Sequence, residues 1–107
     1  MRRRRGKYGN VITKVGGRAF HSKKEARRFQ ELKLLEQEGV IANLQLQIPF
    51  KLRAWEQPIC TYVADFVYTE NGRPVIEDVK GMITGIFRLK WKLLQAQEKE
   101  KYLYRIT

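Results

Sequence analysis

The chain of 107 residues contains one cysteine, Cys60, and one histidine, His21. A single cysteine forbids an intrachain disulfide and any zinc site built from several thiolates, so a reducing, intracellular and cytoplasmic setting is the default. Long apolar runs are missing too. None approaches the ~18–20 residues of a membrane-crossing helix, and no membrane partner is expected. Met1, Arg2, Arg3, Arg4 and Arg5 are not followed by an apolar stretch, so no secretory signal peptide is expected. No Pro/Ser-rich linker or internal repeat divides the chain, and its length suits one domain. With 43% hydrophobic and 31% charged residues, the composition is that of a globular protein.

Acid is scarce at one end only. The net charge is +11, with 22 Lys and Arg against 11 Asp and Glu. Residues 1–28 hold 11 of the basic residues, among them Arg2, Arg3, Arg4, Arg5, Lys7, Arg18, Lys23 and Lys24, against the single acid Glu25. The remaining 79 residues carry 11 basic and 10 acidic groups, close to neutrality. A concentrated cation on an otherwise balanced surface also suits a solubilising tail or an anionic membrane. Nucleic acid is the commonest partner of such a chain.

Residues 1–10 read as a basic, flexible arm, and residues 11–107 as the folded unit. Residues 11–13 form a short extended piece before a Gly16-Gly17 turn. Ser22 and Glu25 make a capping-box pattern that opens a helix running to Glu38 and closing at Gly39. Glu25, Phe29, Leu32 and Glu36 share one helical face, flanked by Ala26 and Leu35. Residues 43–53 alternate as a half-buried strand. Leu44, Leu46, Ile48, Phe50 and Leu52 face one way; Gln45, Gln47, Lys51 and Arg53 face the other. Pro49 implies an edge or a bulge. A second strand over 61–69 and a third over 74–80 flank Asn71-Gly72, a strong hairpin signal. A helix over 84–100 and a strand over 102–106 complete an α/β chain with a mixed sheet.

Asp65 sits in an apolar strand, where an isolated carboxylate is costly. Asp78 and Lys80, two residues apart, share a face of the third strand. If Asn71 and Gly72 are the loop, Glu70 opposes Arg73 and Asp65 opposes Asp78. Adjacent carboxylates need a cation or a shared proton, and Mg²⁺ is the natural hard ion for such oxygens. With a lysine beside it and a polyanion-binding surface, the cluster points to phosphodiester hydrolysis. Taken alone, an Asp-x-Lys pair at a strand end is more often plain surface charge. Glu77 has the opposite parity to Asp78 and reads as structural.

These residues resemble the PD-(D/E)XK nuclease superfamily: Asp65, then Asp78-Val79-Lys80, on a hairpin that follows a helix bearing Glu25. The element order matches that superfamily's restriction-endonuclease-like αβββαβ core. Residues 20–92 also resemble small phage and prophage endonucleases of that superfamily. The matching stretches are Phe20-His21-Ser22-Lys23-Lys24-Glu25-Ala26-Arg27-Arg28, Thr61-Tyr62-Val63-Ala64-Asp65-Phe66-Val67-Tyr68 and Val75-Ile76-Glu77-Asp78-Val79-Lys80-Gly81, then Thr84 and Arg88-Leu89-Lys90.

The resemblance implies a metal-dependent endodeoxyribonuclease with Asp65, Asp78 and the Val79 carbonyl as ligands and Lys80 as the catalytic lysine. Glu25 matches the acid that many members place near the metal, a role compatible with helix capping. Mg²⁺ is the implied cofactor, with Mn²⁺ as a substitute. Ala64 stands where the motif has proline, a position without side-chain chemistry. Similar small members are Holliday junction resolvases acting as homodimers on branched DNA in recombination or repair, so a phage- or prophage-encoded protein in a bacterial host is implied. A DNA-cutting transposition subunit carries a similar core. A non-catalytic nucleic-acid binder keeping the fold and a basic scaffold protein are the competing classes.

Arg88 and Lys90 fit either a DNA-backbone contact or a solvated helix face, and Gln45 and Gln47 fit either a site contact or strand surface, the favoured reading. His21 reads as a phosphate or backbone contact, and Cys60 as a small buried hydrophobe. Trp55 and Trp91 read as core or interface anchors rather than base-stacking platforms.

Overall fold

The computed structural model describes residues 13–15 and 17–107. The proposed arm, and with it Arg2, Arg3, Arg4, Arg5 and Lys7, lies outside the described residues. The elements are β1 (Thr13–Val15), β2 (Arg18–Phe20), α1 (Lys23–Gln37), β3 (Ile41–Ala54), β4 (Gln57–Glu70), β5 (Arg73–Asp78), α2 (Gly85–Glu98), a 3₁₀ turn (Lys99–Lys101) and β6 (Leu103–Ile106). The main sheet has the order β3-β4-β5-β6. Its hairpin-linked strands are antiparallel, and β5 and β6 are parallel across the α2 crossover. The chain is therefore α/β with a mixed four-stranded sheet. Among the described residues no helix is long and apolar enough to cross a membrane.

Helix α1 has no β-branched residue and is capped at both ends. Ser22 Oγ accepts the Glu25 N–H at 3.1 Å. The Glu25 carboxylate reaches back one residue further than a capping box requires, to the His21 N–H at 3.1 Å. At the other end Gly39 has φ +81°, its N–H donates to Glu36 O, and Val40 N–H donates to Leu35 O. This closes a Schellman motif.

The helices cover opposite faces of the sheet. Phe20, Ala26, Phe29, Leu32, Ile41, Phe66, Tyr68 and Val75 form one buried cluster around α1. Leu52, Tyr62, Ala64, Ile76, Phe87, Trp91 and Leu94 form the other around α2. Val75 and Ile76 are adjacent in β5 and belong to different clusters, as strand alternation requires.

β3 and β4 depart from the alternation that the sequence displays. Ala64 and Phe66, two residues apart, fall in different clusters, and so do Leu46 and Phe50. The expected single face from Leu44 to Leu52 is therefore divided between two cores. The change lies at Gln47, whose φ of +55° is in the left-handed region, opposite Asp65 in the ladder. A second irregularity between Ala42 and Gln45, with Asn43 at φ +57°, takes the Leu44 N–H out of the ladder. Glu36 Oε2 accepts that N–H at 3.0 Å, a bond that holds the Glu36 carboxyl below the usual range.

Further differences are local. Of the extended piece expected over 11–13, residues 11 and 12 lie outside the described residues; Thr13–Val15 pairs with Arg18–Phe20 in a β1–β2 hairpin. β5 ends at Asp78, although Lys80 N–H still bonds Thr107 O at 3.1 Å. Pro49 lies in β3, an edge strand of the sheet, where a missing N–H is tolerated. Trp91 lies in an aromatic cluster with Tyr62, Phe87 and Tyr104. Trp55 does not join any core: it is 98% exposed.

Candidate active site

The β4–β5 turn has φ +54° at Asn71 and +77° at Gly72, the two positive values of a type I′ turn. It sets Glu70 opposite Arg73, and the ladder runs to Phe66 opposite Glu77. Asp65 and Asp78 lie one step beyond that last pair.

Asp78 is 1% exposed. Its Oδ2 accepts the Tyr62 hydroxyl. Its buried Oδ1 has no hydrogen bond, and Lys80 Nζ lies 3.3 Å from it. Burial, followed by the Asp65 charge, pushes Asp78 up to about 6. Asp65 Oδ2 accepts the Val79 N–H at 2.9 Å, which fixes the main chain between Asp78 and Lys80. Burial raises the Asp65 carboxyl against that bond, and the Glu25 charge adds to the rise.

Glu25 arrives from the first turn of α1 and is 4% exposed. Gln47 Nε2 donates to Glu25 Oε2 at 3.0 Å and lies 3.5 Å from Asp65 Oδ1. The residue with left-handed backbone is thus the one that links the two acids. Both Glu25 oxygens are engaged, by His21 N–H and by Gln47. As placed, no group of three or more His, Cys, Asp or Glu side chains among the described residues is arranged to hold a metal ion. What Asp65 and Asp78 present is an all-oxygen donor pair, one oxygen of which is buried without a hydrogen bond. That chemistry suits a hard divalent cation.

Lys80 Nζ lies 4.4 Å from the centroid of the Phe87 ring, which orients the amine beside Asp78. Lys24 Nζ donates to Lys80 O at 2.9 Å and ties the start of α1 to the same loop. The other proposed nucleic-acid contacts are dispersed. Arg18 is exposed on β2, Lys23 on α1 and Arg88 on α2, while Lys90 Nζ donates to Thr61 O at 3.3 Å. Thr84 caps α2 by accepting the Phe87 N–H at 3.1 Å.

Glu77 points to the α1 side, as its parity requires. It receives Arg28 Nε at 2.6 Å, Arg28 NH2 at 3.2 Å, the Tyr68 hydroxyl at 2.5 Å and Thr107 Oγ1 at 2.5 Å. Burial alone would raise Glu77. Arg28, Thr107 and Tyr68 outweigh it and hold the carboxyl below its usual range.

A protein-family model matches residues 5–107, a span that contains every residue of the site. Its description is "protein of unknown function (DUF1064)". The chain belongs to the DUF1064 family. No curated protein matches it.

Sequence reasoning favoured strand surface for Gln47 and missed Tyr62 and Phe87 in this DUF1064 site. Gln47 looks like strand surface because its contact depends on an irregular backbone angle. Tyr62 has the wrong parity to meet Asp78 until β4 changes face. Phe87 meets Lys80 only through the docking of α2. The periodic pattern carries no signal for the first two. For Phe87, a capped helix starting at Thr84 places an aromatic in the first turn, a weak one.

Proposed function

We propose that this protein is a divalent-metal-dependent DNA endonuclease of the PD-(D/E)XK type, acting on branched or otherwise structured DNA. The observation that carries the reading is that Asp65 and Asp78 stand side by side one step beyond the last β4–β5 pair, with Lys80 Nζ 3.3 Å from Asp78. The order helix, three strands, helix, strand supports it, because it is the order of that superfamily's core.

Asp65, Asp78 and the Val79 carbonyl would hold Mg²⁺, or Mn²⁺ in its place, with Glu25 joining from α1. When bound, such an ion polarises a phosphodiester and acidifies a water. The Val79 N–H holds Asp65 in place, and Tyr62 holds one oxygen of Asp78. The Lys80 amine offsets negative charge at the scissile phosphate and orients the incoming water. The basic residues of the first 28, Arg28 excepted, attract the backbone without reading its sequence. The described residues make one α/β unit, and backbone contacts of this kind favour recognition of DNA shape. Two cuts in opposite strands require two sites, and a homodimer supplies them.

The test is a panel of labelled four-way junction, forked duplex and linear duplex, each with Mg²⁺ or EDTA, using wild type and Asp78→Ala. Mg²⁺-dependent products made by wild type alone are expected. Binding without cleavage on every substrate would replace this reading with that of a non-catalytic nucleic-acid binder.

A further inference from the structure

The β3–β4 hairpin turns at Trp55 and Glu56, between the paired residues Ala54 and Gln57. Trp55 has φ +55° and is 98% exposed. A bulky side chain in the left-handed region is strained, and an indole in water forgoes its burial energy. The β4–β5 turn, by contrast, uses Asn71 and Gly72, which bear that geometry easily. Nothing within the described fold compensates for a tryptophan at this tip.

Beside it lies a cleft of about 700 Å³, lined by Lys51, Arg53, Trp55, Leu93, Ala96, Gln97 and Lys99. The lining carries three cations and no carboxylate; Glu56 and Glu98 lie outside it. The cleft is braced, because Gln97 accepts the Arg53 N–H at 3.0 Å and donates to Lys51 O at 2.8 Å. These bonds dock the end of α2 on the free edge of β3. Lys51 and Arg53 are two residues apart in β3 and Trp55 follows in the turn; all three border the same cleft.

We infer that this cleft binds an unpaired nucleotide of a DNA strand, its base stacked on Trp55 and its phosphates held by Lys51, Arg53 and Lys99. The charge is complementary to phosphate, and the exposed indole offers a flat π-face to a base. Within a duplex both faces of a base are already stacked. Only a base at a fork, junction or end has a free face for Trp55. The inference rests on the nucleic-acid part of the proposed function and adds the element that selects structured DNA. The site uses none of Asp65, Asp78 or Lys80.

The experiment measures anisotropy of labelled DNA with the full chain in EDTA, so that binding is read without cleavage. The ligands are a forked duplex with single-stranded arms and a blunt duplex of equal length, with unlabelled dTMP as competitor. Trp55→Ala is expected to weaken fork binding about tenfold, the size of one lost base–aromatic stack. It should leave blunt-duplex binding within about twofold and the melting temperature unchanged, because Trp55 contributes nothing to a core. Trp55→Phe should restore most of the loss, and Lys51→Ala with Arg53→Ala should weaken fork binding further. Unchanged fork binding in Trp55→Ala, or equal loss on blunt duplex, overturns the inference. So does dTMP displacing the fork at micromolar concentration, which would mark a mononucleotide site. The cleavage panel stands apart from these results. Trp55-dependent fork binding without cleavage leaves the inference standing and removes the nuclease reading; cleavage with Trp55-independent fork binding does the reverse.

Discussion

Arg28 grips Glu77 at two points across the interface between α1 and the sheet, Nε to Oε2 at 2.6 Å and NH2 to Oε1 at 3.2 Å. Glu77 is fully buried and the Arg28 side chain is 18% exposed. By composition Arg28 belongs to the basic N-terminal segment, yet its charge is committed to the interior. Arg28→Met is therefore expected to destabilise the fold by about 3 kcal/mol, since it strands a buried carboxylate. DNA binding by the folded fraction, and its salt dependence, should not change. Urea unfolding together with a salt titration of binding checks both, and a flattened salt slope would place Arg28 on the DNA.

Asp78 is held at about 6, above the ordinary 3.8. The folded chain then binds this proton more tightly than the unfolded chain does. Its contribution is fully present below pH of about 4 and is lost as pH rises to about 6. In EDTA, the stability of wild type relative to Asp78→Asn should fall by on the order of 2 kcal/mol across that window. Parallel stability curves for the two proteins over the same pH range would contradict the assignment.

Metal should reverse that trend. Where Asp65 and Asp78 are both ionised they repel, and a bound Mg²⁺ would relieve the repulsion. At a hundred times its Kd, the ion is expected to stabilise wild type by about 2.7 kcal/mol. Asp78→Asn should gain little. Equal Mg²⁺ stabilisation of both proteins in thermal melts would move the ion elsewhere.

Gln47 joins Glu25 to Asp65 while holding a strained backbone. Gln47→Ala is expected to lower the cleavage rate about tenfold, by freeing Glu25, with fork binding unchanged. Gln47→Gly should lose the same activity yet recover stability relative to Gln47→Ala, because glycine accepts φ +55° at little cost. Cleavage rates and melting temperatures of the two variants separate side-chain contact from backbone strain.

Lys80→Ala should abolish cleavage and leave DNA affinity nearly intact, as one cation among 22 is lost. Deleting residues 1–5 should do the opposite. It should weaken binding and flatten its salt dependence by up to ~0.9 log–log units per phosphate contact removed. Gel shifts over a salt series, paired with cleavage rates, distinguish the two.

Much of this architecture was legible in local pattern. Ser22 and Gly39 bound α1, and Asn71-Gly72 sets the β4–β5 register that makes Asp65 and Asp78 neighbours. Each is a short-range matter of capping or turn geometry, and the residue types declare it. Strand parity placed Lys80 beside Asp78; β5 in fact ends at Asp78, and the Lys80 amine meets it from the following loop.

Tertiary structure decided what strand parity could not. The unbroken alternation from Leu44 to Leu52 shows no change of face, because one left-handed residue, Gln47, redirects a strand without altering its apolar pattern. That redirection lets Tyr62 reach Asp78 and leaves Asp65 between the α1 and α2 layers. Whether a cation is free or buried was equally invisible: Arg28 and Arg27 are alike in sequence, and only the docking of α1 on Glu77 separates them. Trp55 was decided in the same way. A tryptophan near an apolar strand reads as core, and only the two-residue turn placed it in solvent. Composition and turn chemistry thus determined the charge asymmetry, the elements and the carboxylate pair. Contacts between residues distant in sequence determined which side chains surround that pair, because such contacts depend on how the layers pack.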